Sequence, residues 1–405
     1  MSDTGNDQAT RGPGTGYQDQ AFLIGEDIYL RPIEEADASS TVSWRNTAFP
    51  ISTQQTEKWI KETVAKQSPF NENLLAIVRK TDDVIVGSIK VNFGGPLCGV
   101  EAHVDLLFGE RGWPWKAEAI LLALRWGVEE HHCANGIVFV PGDETGVIAA
   151  LEAGGMRQSA RFREWYSRKG KRVDKVVLEY LNQGWVATLG DPNKVEIPRT
   201  GTGEPRPVPA KVEIAGDHPV NAVMIGRRVY LRPPTKADAE EIARYGRRET
   251  ETFFDIGRHL PMPAGFARWG DEQQKETFPE WIRFAVCLRE NDELIGEVGM
   301  LEVDYLNRAA ETASFFHRPE YRGGGYGSEA KHLLLEYAFE KLGLHMVQSW
   351  VYFPNTRSAA ALRKQGYREA GRVNWLYAHN GSFDSFVVFD LLASEWRAMP
   401  RAEWK

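Results

Sequence analysis

The sequence predicts an α/β protein, an α+β arrangement with mixed sheets, made of two fused copies of one domain. The segment from Gly25 to Ala38 recurs as Gly226 to Ala239, which is an internal duplication. Strand and helix signals follow each copy of this segment in the same order, and a Pro/Gly-rich stretch separates the two series. Strands that alternate with helices in this way predict a sheet with helices on both faces.

The repeated segment supplies the first strand and first helix of each copy. Its apolar run ends at Pro32 or Pro233, and Asp37 or Asp238 follows where a carboxylate can cap the free N–H groups of a helix. Two further strands joined by an acidic turn are predicted at 74–78 and 84–91 in the first copy, and at 284–288 and 294–301 in the second.

The ends of the copies also correspond, because Trp185 stands opposite Trp396. The shift is 201 residues from Gly25 to Gly226 and 211 residues from Trp185 to Trp396, so the second copy carries a loop insertion of about ten residues. We therefore expect a disordered tail at 1–20, a first domain at 21–185, a Pro/Gly-rich extended linker at 186–220 and a second domain at 221–405.

Composition and charge narrow the class of protein. Of the 405 residues, 42% are apolar, which is enough to build real cores. Because there is no run of about eighteen apolar residues and no secretory-type start, we expect a cytoplasmic protein with no membrane partner. Three cysteines without ligand spacing predict no metal, and the net charge of −7 argues against a broad nucleic-acid surface.

A glycine-rich stretch lies where a strand turns into a helix in the second copy. The strand is predicted at 312–316, and apolar residues spaced three and four apart predict a helix that ends at Gly343. Bare backbone N–H groups and the positive end of the helix dipole favour a phosphate there. The predicted cradle consists of Arg322, Gly323, Gly324, Gly325, Tyr326 and Gly327. The alternative is a plain Gly-rich turn before a core helix.

A second segment follows at normal separation: a strand at 346–352, then Asn355, Ser358, a helix to Gln365, and Gly366-Tyr367. With the glycine stretch, these residues make the second copy resemble the GNAT family of acyl-CoA-dependent N-acyltransferases, most closely its RimJ/RimL-like branch. Arg322, Gly325 and Gly327 fit the pyrophosphate loop of that family. The resemblance implies acetyl-CoA or another acyl-CoA as the donor substrate.

The resemblance also implies roles for individual residues. Phe315 and Phe316 would offer backbone N–H groups to the thioester carbonyl, and Asn355 would hold the pantetheine amide or the loop. Ser358 would protonate the departing thiolate, because Leu362 stands where other branches of the family have a tyrosine. The alternatives are a helix-capping role for Ser358 and a simple turn role for Asn355.

The sequence leaves several candidates for the general base, the residue that accepts the proton of the amine. Glu297, Glu302, Asp304 and Glu311 lie on or beside the strands that border the amine site in the family, and His345 is a further candidate. We favour Glu297 or Glu311, although each of these carboxylates could simply be a solvated surface group. The acceptor would be selected by a loop at about 245–269, whose aromatic and charged residues are Arg247, Arg248, Phe253, Phe254, Asp255, Arg258 and His259.

The first copy lacks the features of the cradle. Pro114 has no N–H to donate, Trp113 and Trp115 would crowd a pyrophosphate, and Glu110 has the wrong charge. Residues 142–145 also replace the asparagine segment of the second copy. We expect this copy to have lost acyl-CoA binding and to serve as a packing partner or a wall of the substrate site; a repurposed ligand pocket is the alternative.

The function predicted from the sequence is acyl-CoA-dependent N-acylation of a primary amine, on a small molecule of specialised metabolism or resistance, by a monomer or homodimer. One alternative is a protein N-terminal acetyltransferase of the RimJ/RimL type. Another is an aminoacyl transferase that uses aminoacyl-tRNA, for which arginines between Arg227 and Arg248 would contact the acceptor end. A third is a non-catalytic acyl-CoA-binding protein, which the intact loop at Arg322 to Gly327 argues against.

Overall fold

The computed structural model joins both copies in one continuous sheet. The structure describes residues 20–39, 52–62, 64, 72–93, 99–106, 113–201, 203–213, 219–248, 262–273, 275–316, 318–379 and 381–403. The predicted disordered tail, apart from residue 20, lies outside the described residues.

The first copy contains β1 to β8 with α1 to α4. Its strands are β1 (Leu23–Ile24), β2 (Ile28–Pro32), β3 (Glu72–Arg79), β4 (Ile85–Phe93), β5 (Gly99–Leu106), β6 (Asn135–Pro141), β7 (Arg157–Arg168) and β8 (Lys171–Leu181). Its helices are α1 (Thr53–Glu62), α2 (Trp113–Arg125), α3 (Thr145–Ala153) and α4 (Gln183–Leu189).

The second copy repeats this series after the short strand β9 (Val208–Pro209). Its strands are β10 (Met224–Ile225), β11 (Val229–Arg232), β12 (Ile282–Leu288), β13 (Leu294–Asp304), β14 (Ala309–Phe315), β15 (Met346–Tyr352), β16 (Arg368–His379), β17 (Ser382–Leu392) and β18 (Arg401–Ala402). Its helices are α5 (Lys236–Gly246), α6 (Pro263–Gln273), α7 (Tyr326–Glu336), α8 (Thr356–Lys364) and α9 (Ala393–Ala398).

The two copies have the same strand order. It is β1-β2-β3-β4-β5-β6-β8-β7 in the first and β10-β11-β12-β13-β14-β15-β17-β16 in the second. In each copy one neighbouring pair is parallel, β5 with β6 and β14 with β15, and the other pairs are antiparallel. The halves meet where β7 pairs with β16 through Ala160 and Gly371. The predicted mixed α/β fold of two alike domains is confirmed.

Each copy has its own core, and a third apolar cluster joins them. In the second copy, Leu334 and Phe339 from α7 and the turn after it pack against Val286 and Val347 of the sheet. The joining cluster contains Phe162 and Trp165 of β7 together with Phe386 and Val388 of β17. The first copy therefore packs directly on the domain that carries the cradle residues.

The repeated Asp residues act slightly differently from the expectation. Thr235 is the N-cap of α5, and Asp238 lies in the first turn, where its carboxylate accepts a hydrogen bond from the Thr235 backbone N–H and pairs with Arg232. Asp37 and Arg31 form the same ion pair in the first copy, with N and O atoms 2.7 Å apart. In the second copy this arrangement is a capping box, and the ion pair ties it to the end of β11.

The segment 186–220 is not an extended linker throughout. Helix α4 continues to Leu189, and β9 pairs in parallel with β18 near the C-terminal end of the described chain. Part of this segment therefore belongs to the second copy. The domain limits of 21–185 and 221–405 stay a prediction.

Candidate active site

Strands β14 and β15 separate towards their C-terminal ends. Their parallel ladder contains three pairs and ends at Glu311 and Gln348. Beyond it, Thr312 to Phe315 keep their partners on β13, while Ser349 to Tyr352 keep theirs on β17. The Ser349 hydroxyl donates to the Thr312 carbonyl at 2.9 Å and closes the inner end of the gap. The last residues of β14 thus present one backbone edge to an opening.

The glycine-rich loop lies beside this opening. Helix α7 begins at Tyr326, and its N-cap is Gly325, which has φ of +84° and offers no side-chain cap. Gly323 also has a positive φ, +89°. Both residues occupy the left-handed region that glycine adopts at little cost. Because no side chain caps the first turn, its N–H groups remain available for an anion, as the sequence predicts.

Arg228 holds the loop in place, a role that the sequence reasoning missed. Its guanidinium donates to the Gly324 carbonyl at 2.9 Å, pairs with Glu329 at 2.9 Å, and lies 4.4 Å from the centre of the Tyr326 ring. The sequence offered one signal: the first copy keeps Glu118 at the position of Glu329 but has Asp27 at the position of Arg228. The loop clamp is therefore present in one copy only.

Arg322 and Phe316 fix the other side of the loop. The Arg322 Nε donates to the Phe316 carbonyl at 2.9 Å. A Cβ on Gly327 would lie 3.1 Å from the Phe316 ring, and one on Gly296 would lie 2.8 Å from it. Two glycines thus allow Phe316 to sit between the loop and the sheet. Phe315 and Phe316 both line the opening, and their role as backbone donors stays a prediction.

Helix α8 forms the facing wall and carries Ser358. Asn355 is the N-cap of this helix, and its side-chain oxygen accepts a hydrogen bond from the Ser358 backbone N–H at 3.1 Å. The helix begins at Thr356, so Ser358 lies within its first turn and does not cap it. The alternative in which Ser358 acts as the helix cap is wrong, because Asn355 fills that position. The half-buried Ser358 lines the opening.

These elements enclose a cleft of about 970 Å³. The glycine loop, the end of β14, the first residues of α8, part of the segment after α4 and the end of β18 line it. Five cationic side chains face it, and the single anionic lining residue among the described residues is Glu403. The cations are Arg206, Arg228, Arg322, Arg357 and Lys364. A long polyanion with an apolar arm fits this lining.

The two favoured carboxylates lie on β14, which reaches the cleft, and on its neighbour β13. Glu297 is opposite Phe315 in the β13–β14 ladder, is buried, and forms an ion pair with Arg283. Glu311 is half-buried and lies opposite Gln348, at the last pair before β14 and β15 separate.

Asp304 and His345 lie far from the cleft. Asp304 pairs with Ala309 at the opposite end of β14, and His345 precedes the first residue of β15. His345 Nε2 lies 2.7 Å from Glu164 of the first copy, and burial lowers its pKa. About six residues of strand, roughly 20 Å, separate His345 from the end of β15 that meets the cleft. The structure therefore does not bring His345 or Asp304 to the cleft, whereas Glu302 follows Leu301, the ladder partner of Glu311.

The predicted acceptor loop is described only in part. Phe253, Phe254, Asp255, Arg258 and His259 lie outside the described residues. Arg247 and Arg248 are exposed just after α5. Beside α5 and α6, a smaller cavity is lined by Thr235, Asp271, Arg283 and Glu297 among others. This cavity reaches the same carboxylate that faces Phe315 across the strand ladder.

In the first copy, an ion pair fills the corresponding place. Lys116 and Glu144 stand at the positions of Gly327 and Asn355, given the shift of 211 residues. Lys116 Nζ lies 2.7 Å from the Glu144 carboxylate, and both side chains are largely buried. Pro114 stands at the position of Gly325. The first copy thus replaces an anion-binding helix start by a proline and a buried salt bridge.

Two classes of site are not found within the described residues. No group of three or more His, Cys, Asp or Glu side chains there could hold a metal ion. Among the same residues, no helix is both long and apolar enough to cross a membrane.

Comparison with known proteins relates the second copy, which carries the glycine loop and the cleft, to a known family. Residues 228–368 match the family model described as Acetyltransferase (GNAT) domain. This range begins at the loop clamp Arg228 and includes the glycine loop and α8. Residues 228–368 of the chain are thus similar to GNAT acetyltransferases, which use acetyl-CoA, and the relatives support an acetyltransferase enzyme.

Individual relatives match one copy's length of chain. The chain is 26% identical over 175 residues to the Probable N-acetyltransferase YjcK of Bacillus subtilis, covering 41% of this chain and 95% of that protein. It is 27% identical over 103 residues to the Spermidine N(1)-acetyltransferase of Vibrio cholerae, covering 25% of this chain and 59% of that protein. A solved structure of spermidine N-acetyltransferase from Vibrio cholerae in complex with CoA and spermine shares 20% identity, with a TM-score of 0.39, and covers 42% of this chain and 98% of that one.

Proposed function

We propose that the second copy transfers an acetyl group from acetyl-CoA to a primary amine of a small molecule, and that the first copy binds no donor. One observation carries this proposal: the opening between β14 and β15, the glycine loop and five cationic side chains meet in a single cleft. CoA combines an apolar, amide-bearing arm with several phosphate charges, and this cleft offers complementary groups to both parts.

The roles within the cleft follow from position. The first-turn N–H groups of α7 would receive the pyrophosphate, because Gly325 leaves them uncapped. The thioester arm would lie along the edge of β14 that faces the opening, where backbone N–H groups at Phe315 or Phe316 would donate to the carbonyl oxygen. Asn355 is engaged through its oxygen with Ser358 and holds the start of α8 beside the arm.

The chemical step moves two protons. The neutral amine nitrogen attacks the thioester carbon, the C–S bond breaks, and the amide forms. Glu311 or Glu297 would accept the proton that the amine loses, and the Ser358 hydroxyl would protonate the departing thiolate. Both carboxylates remain candidates: Glu297 lies opposite Phe315, and Glu311 lies at the last pair before β14 and β15 separate.

One relative supports the acceptor class: a protein with 27% identity over 103 residues is named a Spermidine N(1)-acetyltransferase. The cavity beside α5 and α6 carries the carboxylates of Asp271 and Glu297 together with the cations Lys236 and Arg283, so its charge is balanced and does not by itself select the acceptor. From that relative we expect polyamine-like compounds to be better acceptors than neutral peptides.

The test is a coupled measurement on the full chain. Isothermal titration should show one acetyl-CoA site per chain, and mass spectrometry of reactions with spermidine, an aromatic amine and a peptide with a free N-terminus should show acetylation of the small amines. Failure of acetyl-CoA to bind would overturn the donor assignment. Acetylation of the peptide alone would leave the donor assignment intact and reject the acceptor class.

A further inference from the structure

The described residues between 199 and 210 (199–201 and 203–210) run along helix α8 of the second copy. The Thr200 hydroxyl donates to the carbonyl of Thr356, the first residue of α8, at 3.2 Å. The Arg206 backbone N–H donates to the carbonyl of Lys364, the last residue of α8, at 2.7 Å. A helix of this length spans about 13 Å. The segment therefore follows the whole helix that forms one wall of the cleft.

The end of this segment is built into the second copy. Val208 is 3% exposed and belongs to the core of that copy. Its backbone N–H donates to the Pro400 carbonyl at 2.9 Å, and Ala210 donates to Ala402 at the same distance. These bonds form the parallel pair of β9 and β18. Arg206 is thus held two residues from a buried, hydrogen-bonded anchor, which fixes its backbone.

Arg206 faces the cleft from this fixed backbone. Thr200, Gly201, Arg206 and Pro207 all line the cleft opposite the glycine loop. Arg206 is exposed, and its guanidinium makes no hydrogen bond or ion pair within the described part of the chain. Arg199 differs, because its guanidinium pairs with Glu369 at 2.9 Å and it does not line the cleft. A forked cation fixed at the rim of a cleft is suited to a phosphate.

We propose that the segment between the copies completes the donor site, with Arg206 binding a phosphate group of CoA. This inference rests on the proposed donor function of the cleft. It assigns to the linker a binding role that the GNAT domain, matched at residues 228–368, does not contain. A phosphate of CoA belongs either to the pyrophosphate or to the 3′-phosphate of the ribose, and both present the same chemistry to Arg206.

The experiment compares acetyl-CoA with acetyl-3′-dephospho-CoA by calorimetry, using the full chain and its variants Arg206→Ala and Arg199→Ala. Loss of a charge-assisted contact with phosphate should weaken acetyl-CoA binding by about tenfold to a hundredfold in Arg206→Ala. Arg199→Ala should bind like the parent chain, because its guanidinium does not reach the cleft. Thermal unfolding of each variant checks that the fold is unchanged.

The outcomes distinguish the pyrophosphate from the 3′-phosphate as the group bound by Arg206. They also distinguish failure of the Arg206 inference from failure of the proposed donor site. An effect of Arg206→Ala that disappears with the dephospho compound identifies the 3′-phosphate, whereas an equal effect with both compounds identifies the pyrophosphate; either supports the inference. Equal affinity of Arg206→Ala and the parent chain for acetyl-CoA overturns it while leaving the donor site in place. If the parent chain does not bind acetyl-CoA, the proposed function itself fails.

Discussion

Gly325 combines two constraints at one residue. Its φ of +84° lies in the left-handed region, and an added Cβ would lie 3.2 Å from the Arg228 guanidinium that clamps the loop. Any side chain would also point into the space next to the uncapped first turn of α7. This residue was predictable from the sequence because a glycine-rich strand-to-helix junction has few other uses. The Arg228 clamp was not, because it joins residues 96 positions apart.

Replacement of Gly325 by valine should therefore abolish acetyl-CoA binding. A β-branched residue at positive φ adds strain of about 1–3 kcal/mol, and its side chain displaces the clamp or the phosphate. Calorimetry measures the affinity, and circular dichroism checks the fold. Gly381→Val is the matched control, since Gly381 has φ of +79° in the β16–β17 hairpin with open space around it. A folded Gly325→Val variant with parental affinity would exclude the cradle.

Ser358→Ala should slow acetyl transfer by roughly a hundredfold to ten-thousandfold, which is the typical contribution of general acid catalysis to the rate. Acetyl-CoA affinity should change little, because the proton is needed only as the thiolate departs. Stability should also change little, since Asn355 and not Ser358 caps α8. Steady-state kinetics and melting temperature on one preparation test this.

Asn355→Ala is the companion variant for this test. It removes the cap of α8 and should cost about 1 kcal/mol of stability. If Ser358→Ala keeps the parental kcat, Ser358 has no part in the mechanism. The two variants thus separate the catalytic role proposed for Ser358 from the capping role of Asn355.

At the scale of elements, the sequence located strands and helices better than their mutual positions. The strand predicted at 346–352 is β15 with those bounds, because its β-branched and aromatic residues lie between clear turn signals. The strand register was not predictable, and it sets where each carboxylate lies relative to the opening between β14 and β15. It places Glu297 opposite Phe315, Glu311 at the last pair before the opening, and Asp304 at the far end of β14.

The ion pair between Lys116 and Glu144 in the first copy can be tested, because it occupies the place that corresponds to the cleft of the second copy. Lys116→Ala leaves the Glu144 carboxylate with Arg168 as its remaining cationic partner, at 3.2 Å. Loss of one partner of a buried ion pair costs up to about 3–5 kcal/mol. We expect urea unfolding to show a clear loss of stability, with acetyl-CoA affinity and stoichiometry unchanged. A second acetyl-CoA site in the parent chain would contradict the assignment of this copy.

Helix α7 carries a buried lysine whose protonation should be visible in stability. Burial lowers the pKa of Lys331 to about 7, and Glu311 opposes this shift only in part. The folded pKa lies below the value of 10.5 for an exposed lysine. Between these pH values the unfolded chain binds the extra proton, so the stability contributed at this site rises with pH from about 7 to about 10.

Lys331→Met should remove this dependence. At pH 7 the variant should be more stable than the parent chain, and the difference should shrink as the pH approaches 10, because the parent lysine is then neutral in both states. Urea unfolding at pH 7, 8.5 and 10 gives the free energies. Lys341→Met, at an exposed lysine in the turn after α7, is the control. A difference between Lys331→Met and the parent that does not vary with pH would reject the account.

At the scale of the whole molecule, the junction between the copies has the symmetry of a dimer interface. Ala160 and Gly371, the pair that joins β7 to β16, are equivalent positions under the shift of 211 residues. The buried Asp390 accepts from the Arg163 backbone N–H at 2.9 Å, and the buried Glu179 accepts from the equivalent Asn374 N–H at 3.0 Å. Each contact is repeated with the copies exchanged, as in an isologous interface.

The duplication was predictable from the sequence, but this junction was not. The repeat between Gly25 and Gly226 needs only aligned residues. The pairing of β7 with β16 depends on Arg163, Asn374 and two buried carboxylates that lie far apart in the chain. Nothing local marks these residues as interface residues, because Glu179 and Asp390 both lie in strands whose alternation predicts only which face is buried.

We predict that the chain is a monomer of 45.7 kDa in solution. The strand edges and apolar surfaces that two separate copies would use to associate are already paired within one chain, with Phe162, Trp165, Phe386 and Val388 in the shared cluster. A further copy would find this surface occupied. Sedimentation equilibrium at several concentrations should give the monomer mass throughout, and a concentration-dependent mass near twice that value would contradict the prediction. Asp390→Ala, which leaves Arg163 and Arg368 without their shared buried carboxylate, should lower the melting temperature without producing dimers.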